Sequence, residues 1–313
     1  MSFSENLLQL KKQAMAQAGP MFAHIDSIAE ANTLKVLDAM RECQVSEAHF
    51  NTTSGYAYDD IGRSKIEELF AKVFGAERAL VRTNFVSGTH ALATVLFGIL
   101  RPGDKLISIT GAPYDTMQTV IGYANESPGS LKEFGVLYDE LEMIDGKVDM
   151  AGIAGKITPD TKMVLIQRSR GYSMRNPLTI EEIGAICQEV KKVKPDCICF
   201  VDNCYGEFVD TQEPVQAGAD IMAGSLIKNP GGGVALTGGY IAGKSDLVEL
   251  CSYRLTAPGM GDELGASLAN NRMIFQGFFL APHVVAQAIK GAVFAAALFA
   301  LLGYKTLPLP TDV

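Results

Sequence analysis

The 313-residue sequence has almost no clustered positive charge. No basic run is longer than a pair such as Lys191-Lys192, and 27 basic against 35 acidic residues give a net charge of −8 at pH 7. Nucleic acids and anionic membrane surfaces bind proteins through patches of Lys and Arg. We therefore expect neither nucleic acid nor a membrane among the partners of this chain.

The sequence also lacks a secretion signal and the paired Cys-x-x-Cys spacing of zinc sites. It begins MSFSENLLQLKK, without an apolar segment, and its six cysteines lie far apart except for Cys197, Cys199 and Cys204. Disulfides belong to oxidising compartments, and structural zinc needs closely spaced ligands. The sequence predicts a cytoplasmic protein with buried free thiols and no metal site. A metal site built from these three cysteines is the alternative.

The most apolar stretch, residues 281–302, is too short for a membrane span. Gln287 and Lys290 interrupt it, which leaves the twelve residues 291–302. A span needs about 20 apolar residues. We expect a long helix that is buried in the protein core or in a dimer interface.

Helix and strand signals alternate along the middle of the chain. Three S/T-x-x-E capping boxes, Ser2–Glu5, Ser64–Glu67 and Thr179–Glu182, predict helices over 3–17, 65–74 and 180–193. Short apolar segments predict strands at 79–81, 105–109, 135–137, 163–166, 198–201, 221–222 and 234–241. Such alternation is typical of parallel α/β domains. We predict a mostly parallel seven-stranded sheet between helices in residues 56–255, with helical flanks at 1–55 and 256–313.

Polar residues follow several of the predicted strands, at the sheet edge where α/β proteins bind ligands. Residues 87–89, Ser-Gly-Thr, begin a helix, where free N–H groups favour a phosphate. Asp202 ends a strand, and Lys228 stands between apolar residues and a glycine run. Partial burial would lower the pKa of Lys228 and make its amine a nucleophile. Simple helix caps at Ser87 and Asp202 are the alternative.

Together these three groups meet the needs of pyridoxal phosphate (PLP). The cofactor requires an anchor for its phosphate, a carboxylate that keeps its pyridine nitrogen protonated, and an amine that binds its aldehyde. The combination is a stronger signal than any of its parts.

Longer segments carry a family resemblance. They are SGYAYDDIGRSKIEELFAKVFGAERALVR (54–82), VSGTHAL (86–92), TGAPYDT (110–116), IQRSRGYS (166–173), VDNCYGEF (201–208) and GADIMAGSLIKNPGGGVALTGGYIAG (218–243). In these the chain resembles the fold-type I PLP enzymes of the cystathionine and methionine lyase group, most closely the aluminium-resistance or methionine γ-lyase family proteins. The resemblance implies a PLP-dependent transferase-like fold in a homodimer or homotetramer. It also implies a carbon–sulfur lyase that converts a sulfur amino acid into a 2-oxo acid, ammonia and a thiol.

Residue roles also follow from the resemblance. It implies that Lys228 forms the Schiff base, that Asp202 pairs with the pyridine nitrogen, and that Tyr114 stacks on the cofactor and transfers a proton. It places the phosphate on Ser87, Gly88, Thr89 and Ser225. His90, Arg170 and Tyr205 are expected beside the cofactor, and Tyr58 and Arg63 at the phosphate of the neighbouring subunit. Arg168 and Arg170 follow a predicted strand and are expected at the phenolic oxygen of the cofactor or at a substrate carboxylate, with solvated loop charges as the alternative. For Tyr114 and His90 the alternative is a purely structural role.

Two other functions remain as alternatives. Residues 238–245, GGYIAGKS, match the G-x-x-x-x-G-K-[ST] phosphate loop of ATPases, although the apolar residues 240–242 favour a strand there. Relatives continue beyond the long helix into a C-terminal domain that supplies an arginine for the substrate carboxylate. Since this sequence stops at Val313, a truncated, catalytically impaired protein of the same fold is the second alternative.

Overall fold

One seven-stranded sheet forms the centre of the computed structural model, which describes residues 5–124 and 127–312. Its strands are β1 Arg78–Arg82, β2 Lys105–Ser108, β3 Leu137–Glu140, β6 Thr161–Gln167, β7 Ile198–Asp202, β8 Ile221–Ser225 and β9 Gly239–Gly243. Two short strands, β4 Met143–Ile144 and β5 Lys147–Val148, pair with each other separately. The order of the large sheet is β1-β9-β8-β7-β6-β2-β3.

The predicted, mostly parallel sheet is confirmed, with β9 as its exception. This strand runs antiparallel between β1 and β8, while the remaining neighbours are parallel. Residues 226–238, between β8 and β9, hold one 3₁₀ turn, Asn229–Gly231, and no helix that would return the chain to the opposite edge of the sheet. The strand starts later than predicted because the turn continues through Val234, whose N–H bonds Gly231 O, and Gly238, just before the strand, has a positive φ.

Helices cover both faces of the sheet. They are α1 Glu5–Glu42, α2 Ile61–Phe74, α3 Gly88–Ile99, α4 Asp115–Ile121, α5 Ile153–Lys156, α6 Ile180–Val193, α7 Ser245–Leu255 and α8 Asn271–Leu301. Further 3₁₀ turns span Glu47–Phe50 and Gly261–Glu263. In β1, Ala79 and Val81 face the core beneath α2, α6 and α8, whereas Leu80 faces the core beneath α3, α4 and α7. Burial on both faces is characteristic of a parallel sheet between helical layers.

The predicted helix starts are correct in one case and wrong in another. The Thr179 hydroxyl accepts a hydrogen bond from Glu182 N at 3.2 Å, and the Glu182 carboxylate accepts one from Thr179 N at 2.9 Å. Helix α2 begins earlier than predicted, because the Asp60 carboxylate, and not Ser64, caps it by accepting from Arg63 N at 2.8 Å. Ser2 lies outside the described residues.

Helix α1 extends to Glu42, far beyond the predicted end near residue 17, and contains Pro20. It packs along α8 through a small apolar cluster that includes Ala18, Ile25, Ala286 and Val293. Packing of this kind supplies most of the stability of helices in proteins. The local sequence signals therefore underestimated its length.

Helix α8 confirms the predicted long apolar helix. Contrary to the expectation that the stretch is too short for a span, its most apolar 18-residue window has a mean hydropathy of 2.0, which by length and composition alone is enough to cross a membrane. Of that window, 22% is buried within the protein. Its first half lies in the core, where the Phe278 ring stacks on Phe70 at 3.8 Å and meets Phe74 edge-on at 5.6 Å. The helix thus anchors one layer of the fold and leaves its other face exposed.

The stacked phenylalanines make α8 a test of the core. We expect Phe278→Ala to lower the free energy of unfolding by about 3–5 kcal/mol, because it leaves a cavity among buried rings. The neighbouring Phe279 is 38% exposed, so Phe279→Ala serves as the matched control with a much smaller effect. Urea denaturation followed by circular dichroism measures both, and equal effects would contradict this assignment of the core.

Candidate active site

The structure brings most of the predicted site residues to one edge of the sheet. Strands β1, β2, β7 and β8 run in the same direction, so their carboxyl ends meet at that edge. Residues 87–89 follow β1, Tyr114 follows β2, Asp202 ends β7, and Ser225 ends β8 just before Lys228. This is the edge at which α/β folds bind ligands.

A close approach joins the start of α3 to the end of β8. A Cβ on Gly88 would lie 3.2 Å from Ser225 Cβ, so a larger residue would crowd Ser225, and 3.5 Å from Cys204 Sγ, which is ordinary contact. The Ser87 hydroxyl caps the helix by accepting from His90 N at 3.1 Å. The buried Ser225 hydroxyl has no hydrogen-bond partner within residues 5–124 and 127–312. Because buried polar groups are normally paired, this hydroxyl is suited to bond a ligand at the start of α3.

Asp202 is a buried carboxylate at the centre of the edge. It is 4% exposed, and its Oδ1 accepts a hydrogen bond from Cys204 N at 3.1 Å. Burial raises its pKa, while the hydrogen bond and the charge of Lys228 act in the opposite direction. A buried carboxylate of this kind favours a cationic or proton-bearing partner.

Lys228 is half-buried beside Asp202 and the ring of Tyr205. Its Nζ lies 4.1 Å from the centroid of that ring. Burial alone would lower the pKa of Lys228, but Cys204, Tyr205 and Asp202 outweigh it and place the pKa above the ordinary value. The predicted lowering of this pKa is therefore wrong for the protein without a ligand, since the neighbours stabilise the ammonium form.

Tyr114 and Thr89 meet as the two helix starts converge. The Tyr114 hydroxyl lies 3.2 Å from Thr89 Oγ1, and Tyr114 N donates to Gln167 Oε1 at 3.0 Å. Burial raises the pKa of Tyr114 despite the hydrogen bond to Thr89. The phenol therefore keeps its proton at neutral pH.

His90 takes part in the local structure of the α3 start. Its Nδ1 accepts from Val86 N at 3.2 Å, and its ring meets Phe85 edge-on at 5.5 Å. Burial lowers the pKa of His90, and the positive charge of Arg254 adds to this. The expected position of His90 beside a cofactor stays a prediction.

The two arginines in the loop after β6 bond groups of the protein itself. Arg168 is buried, and its Nη1 donates to Asn203 Oδ1 and to Gly206 O, both at 2.9 Å. Arg170 donates from Nε to Ser173 O at 3.1 Å and from Nη1 to Leu307 O at 2.6 Å. Arg168 is therefore a buried structural residue and not a solvated loop charge, whereas the expected position of Arg170 beside the cofactor stays a prediction.

The predicted contacts to a neighbouring subunit have different outcomes. Arg63 is buried and its guanidinium donates to carbonyls of its own chain, including Ala57 O and Gly265 O at 2.7 Å each. This corrects its predicted outward role, because the side chain is buried and its two terminal nitrogens donate to carbonyls of the surrounding loops. Tyr58 is 56% exposed, and its contact with a partner stays a prediction.

Two alternatives from the sequence find no support in the geometry. Residues 239–243 of the candidate phosphate loop form β9, whose backbone pairs with β1 and β8, so its N–H groups do not form an open cradle.

All six cysteines are buried and free, as predicted. Within the described ranges no group of three or more His, Cys, Asp or Glu is placed to hold a metal.

Sequence reasoning missed a buried acidic network behind the Asp202 turn. The Tyr240 hydroxyl donates to Glu207 Oε1 at 2.7 Å, and Asn203 Nδ2 donates to Glu213 Oε2 at 2.9 Å. Burial raises the pKa of Glu207 to about 8 and also raises that of Glu213, which Arg168 opposes. The one available signal was Glu207, the second acidic residue of DNCYGE, five residues after the end of the buried strand β7.

Comparison with known proteins places these residues in a family context. A family model described as methionine gamma-lyase matches residues 7–313. The chain is 50% identical over 304 residues to the uncharacterized protein YnbB of Bacillus subtilis strain 168, which covers 96% of this chain and 72% of that protein. It is 25% identical over 219 residues to the L-methionine gamma-lyase of Pseudomonas deceptionensis, covering 69% of this chain and 49% of that protein.

Solved structures share the fold. The carbon-sulfur lyase involved in aluminum resistance from Clostridium novyi NT superposes with a TM-score of 0.96 at 47% identity, covering 99% of this chain and 74% of that chain. The pyridoxal-5'-phosphate dependent protein YhfS from Escherichia coli shares the fold alone, with a TM-score of 0.64 at 16% identity over 89% of this chain and 70% of that one.

The buried network predicts a specific pH dependence of stability. Burial raises the pKa of Glu207 in the folded protein to about 8, whereas the ordinary pKa of a glutamate is 4.5. Unfolding therefore releases a proton between these pH values, and stability should fall by about 1.4 kcal/mol per pH unit across them.

The neutral variant Glu207→Gln should remove that contribution and be more stable than the wild type at pH 8. Urea denaturation at several pH values measures the slope, with the exposed Glu181→Gln as a control that keeps it. An unchanged slope in Glu207→Gln would show that Glu207 is ionised in the folded protein.

Proposed function

Because the chain belongs to the methionine gamma-lyase family, we propose that it is a PLP-dependent carbon–sulfur lyase. The proposed reaction removes a thiol from the β- or γ-carbon of a sulfur amino acid and leaves a 2-oxo acid and ammonia. The observation that carries the proposal is that Lys228, Asp202 and the Ser225 hydroxyl, which has no partner among the described residues, share one sheet edge with the start of α3.

The start of α3 and the end of β8 fit the phosphate group of PLP. The free N–H groups of a helix N-terminus attract phosphate. Gly88 permits the close approach to Ser225, whose buried hydroxyl lacks a partner in the described part of the chain. We assign Ser87, Gly88, Thr89 and Ser225 to the phosphate.

Asp202 and Lys228 fit the two ends of the cofactor ring system. The buried carboxylate of Asp202 would be stabilised by a protonated pyridine nitrogen, and the amine of Lys228 would bind the aldehyde. When bound, PLP supplies an electron sink for negative charge at the α-carbon of an amino acid.

Two side chains are placed to hold protons during the reaction. The surroundings of Lys228 favour its protonated form, so its free Nζ is suited to take the proton from the α-carbon. Tyr114 carries its proton at neutral pH because burial raises its pKa, and the bound cofactor and substrate would have to lower that pKa for its hydroxyl to protonate the departing sulfur. The two residues thereby divide the roles of base and acid.

Spectroscopy of the purified protein tests the cofactor assignment. We expect a visible absorption band of lysine-bound PLP that borohydride abolishes together with activity. Lys228→Ala should lose the band, since its amine is the attachment point, whereas Lys72→Ala, on the outer surface of α2 and paired with Glu42, should keep it. A borohydride-reducible band in Lys228→Ala would overturn the assignment.

Turnover separates a lyase from a non-catalytic protein of the same fold. The PLP-loaded protein is incubated with cystathionine, methionine and cysteine in turn, and the 2-oxo acid is measured. Formation of 2-oxo acid from any of them supports the proposed reaction and identifies the substrate. A PLP-loaded protein without turnover on all three would favour the non-catalytic alternative.

The phosphate assignment makes its own prediction. Ser225→Ala should weaken binding of PLP by about 10- to 100-fold, the typical loss of a hydrogen bond to a charged group. Pyridoxal, which lacks the phosphate, serves as the internal control and should bind wild type and variant alike. Spectrophotometric titration measures both affinities, and an equal loss for both ligands would place Ser225 elsewhere than at the phosphate.

A further inference from the structure

Tyr205 adopts an unusual backbone conformation directly beside Lys228. Its φ is +70°, in the left-handed backbone region that residues other than glycine rarely occupy. The residue is 60% exposed, yet the centroid of its ring lies 4.1 Å from Lys228 Nζ. Strained residues of this kind persist where the surrounding structure holds them, and they cluster at functional sites.

The turn around Tyr205 is held by bonds that do not involve its side chain. On one side Cys204 N donates to the Asp202 carboxylate at 3.1 Å. On the other side Gly206 N donates to Asn203 O at 2.8 Å, and Gly206 O accepts from the buried Arg168 at 2.9 Å. The protein therefore builds the turn independently and presents the aromatic ring from it.

The contact with Lys228 gives that ring a use. A cation above an aromatic face is attracted by the negative charge of the π-system, whereas a neutral amine is not. The contact therefore stabilises the protonated form of Lys228 and holds its Nζ against the ring. Because Tyr205 is 60% exposed, the moderate strength of a partly solvated contact is expected.

We propose that Tyr205 is a positioning residue that receives the free ammonium of Lys228 on its ring and holds it there whenever the amine is not covalently engaged. The inference rests on the proposed function, in which Lys228 alternates between a bound and a free amine. It assigns the aromatic face of Tyr205, and not its hydroxyl, to this role.

Competitive labelling of Lys228 tests the proposal without relying on turnover. The full chain, stripped of PLP with hydroxylamine, is treated with trace acetic anhydride across a pH series, and acetylation of Lys228 is followed by mass spectrometry. The exposed Lys72 in the same sample is the internal reference. The pH at which half of the maximal acetylation rate of Lys228 is reached is the midpoint that is compared.

Tyr205→Phe keeps the ring and should keep the wild-type midpoint. Asn tolerates the left-handed backbone, so Tyr205→Asn should keep the turn, lose the ring and lower the midpoint by about half to one pH unit.

Every outcome distinguishes a role of the Tyr205 aromatic ring from a role of the backbone turn alone. A wild-type midpoint in Tyr205→Asn, or a midpoint in Tyr205→Phe as low as in Tyr205→Asn, would overturn the proposal. Circular dichroism checks folding, and Tyr205→Gly, which accepts positive φ freely, replaces Tyr205→Asn if the latter is unfolded. Absence of PLP binding by the wild type would refute the proposed function, whereas the labelling midpoints would still decide the role of Tyr205.

Discussion

The buried guanidinium of Arg168 supports the geometry of the whole sheet edge. It bonds Asn203 Oδ1 and Gly206 O at 2.9 Å and lies 3.8 Å from the Glu213 carboxylate. These contacts fix the turn that carries Asp202 at one end and Tyr205 in its middle. A buried cation is stable only with such partners, and the carbonyl and carboxylate oxygens are held in place by the same cation. Ligand-facing groups and internal charge balance are therefore parts of one arrangement.

Much of the fold could be predicted because local signals and tertiary structure agree. The Thr179 capping box and the apolar strands at 163–166 and 198–201 lie where the pattern places them. Prediction failed where long-range packing decides. The length of α1 depends on α8, far away in sequence, and the direction of β9 depends on the loop after β8, whose glycines indicate a turn but not its direction.

The positions of several candidate-site residues could be predicted because they lie at strand ends, but the directions of long side chains could not. Strand ends identify Asp202, Ser225 and Lys228, because parallel strands bring their carboxyl ends together. No sequence pattern shows where a long side chain turns, so the inward direction of Arg168 and Arg63 could not be foreseen. The burial of Glu207 was hidden for the same reason, since its neighbours on β9 lie more than thirty positions further along the chain.

The position of β9 has a consequence for how the protein folds. This strand, paired as Arg78 with Gly243 and Arg82 with Gly239, is the physical link between β1 and β8. The first half of the phosphate cradle follows β1, and the second half follows β8. On the ribosome, the two halves cannot be aligned until residue 243 has emerged. Such distant pairing is expected to slow folding and to expose the edge of β1 in the meantime. Ligand binding thus becomes possible only when nearly the entire sheet has been assembled.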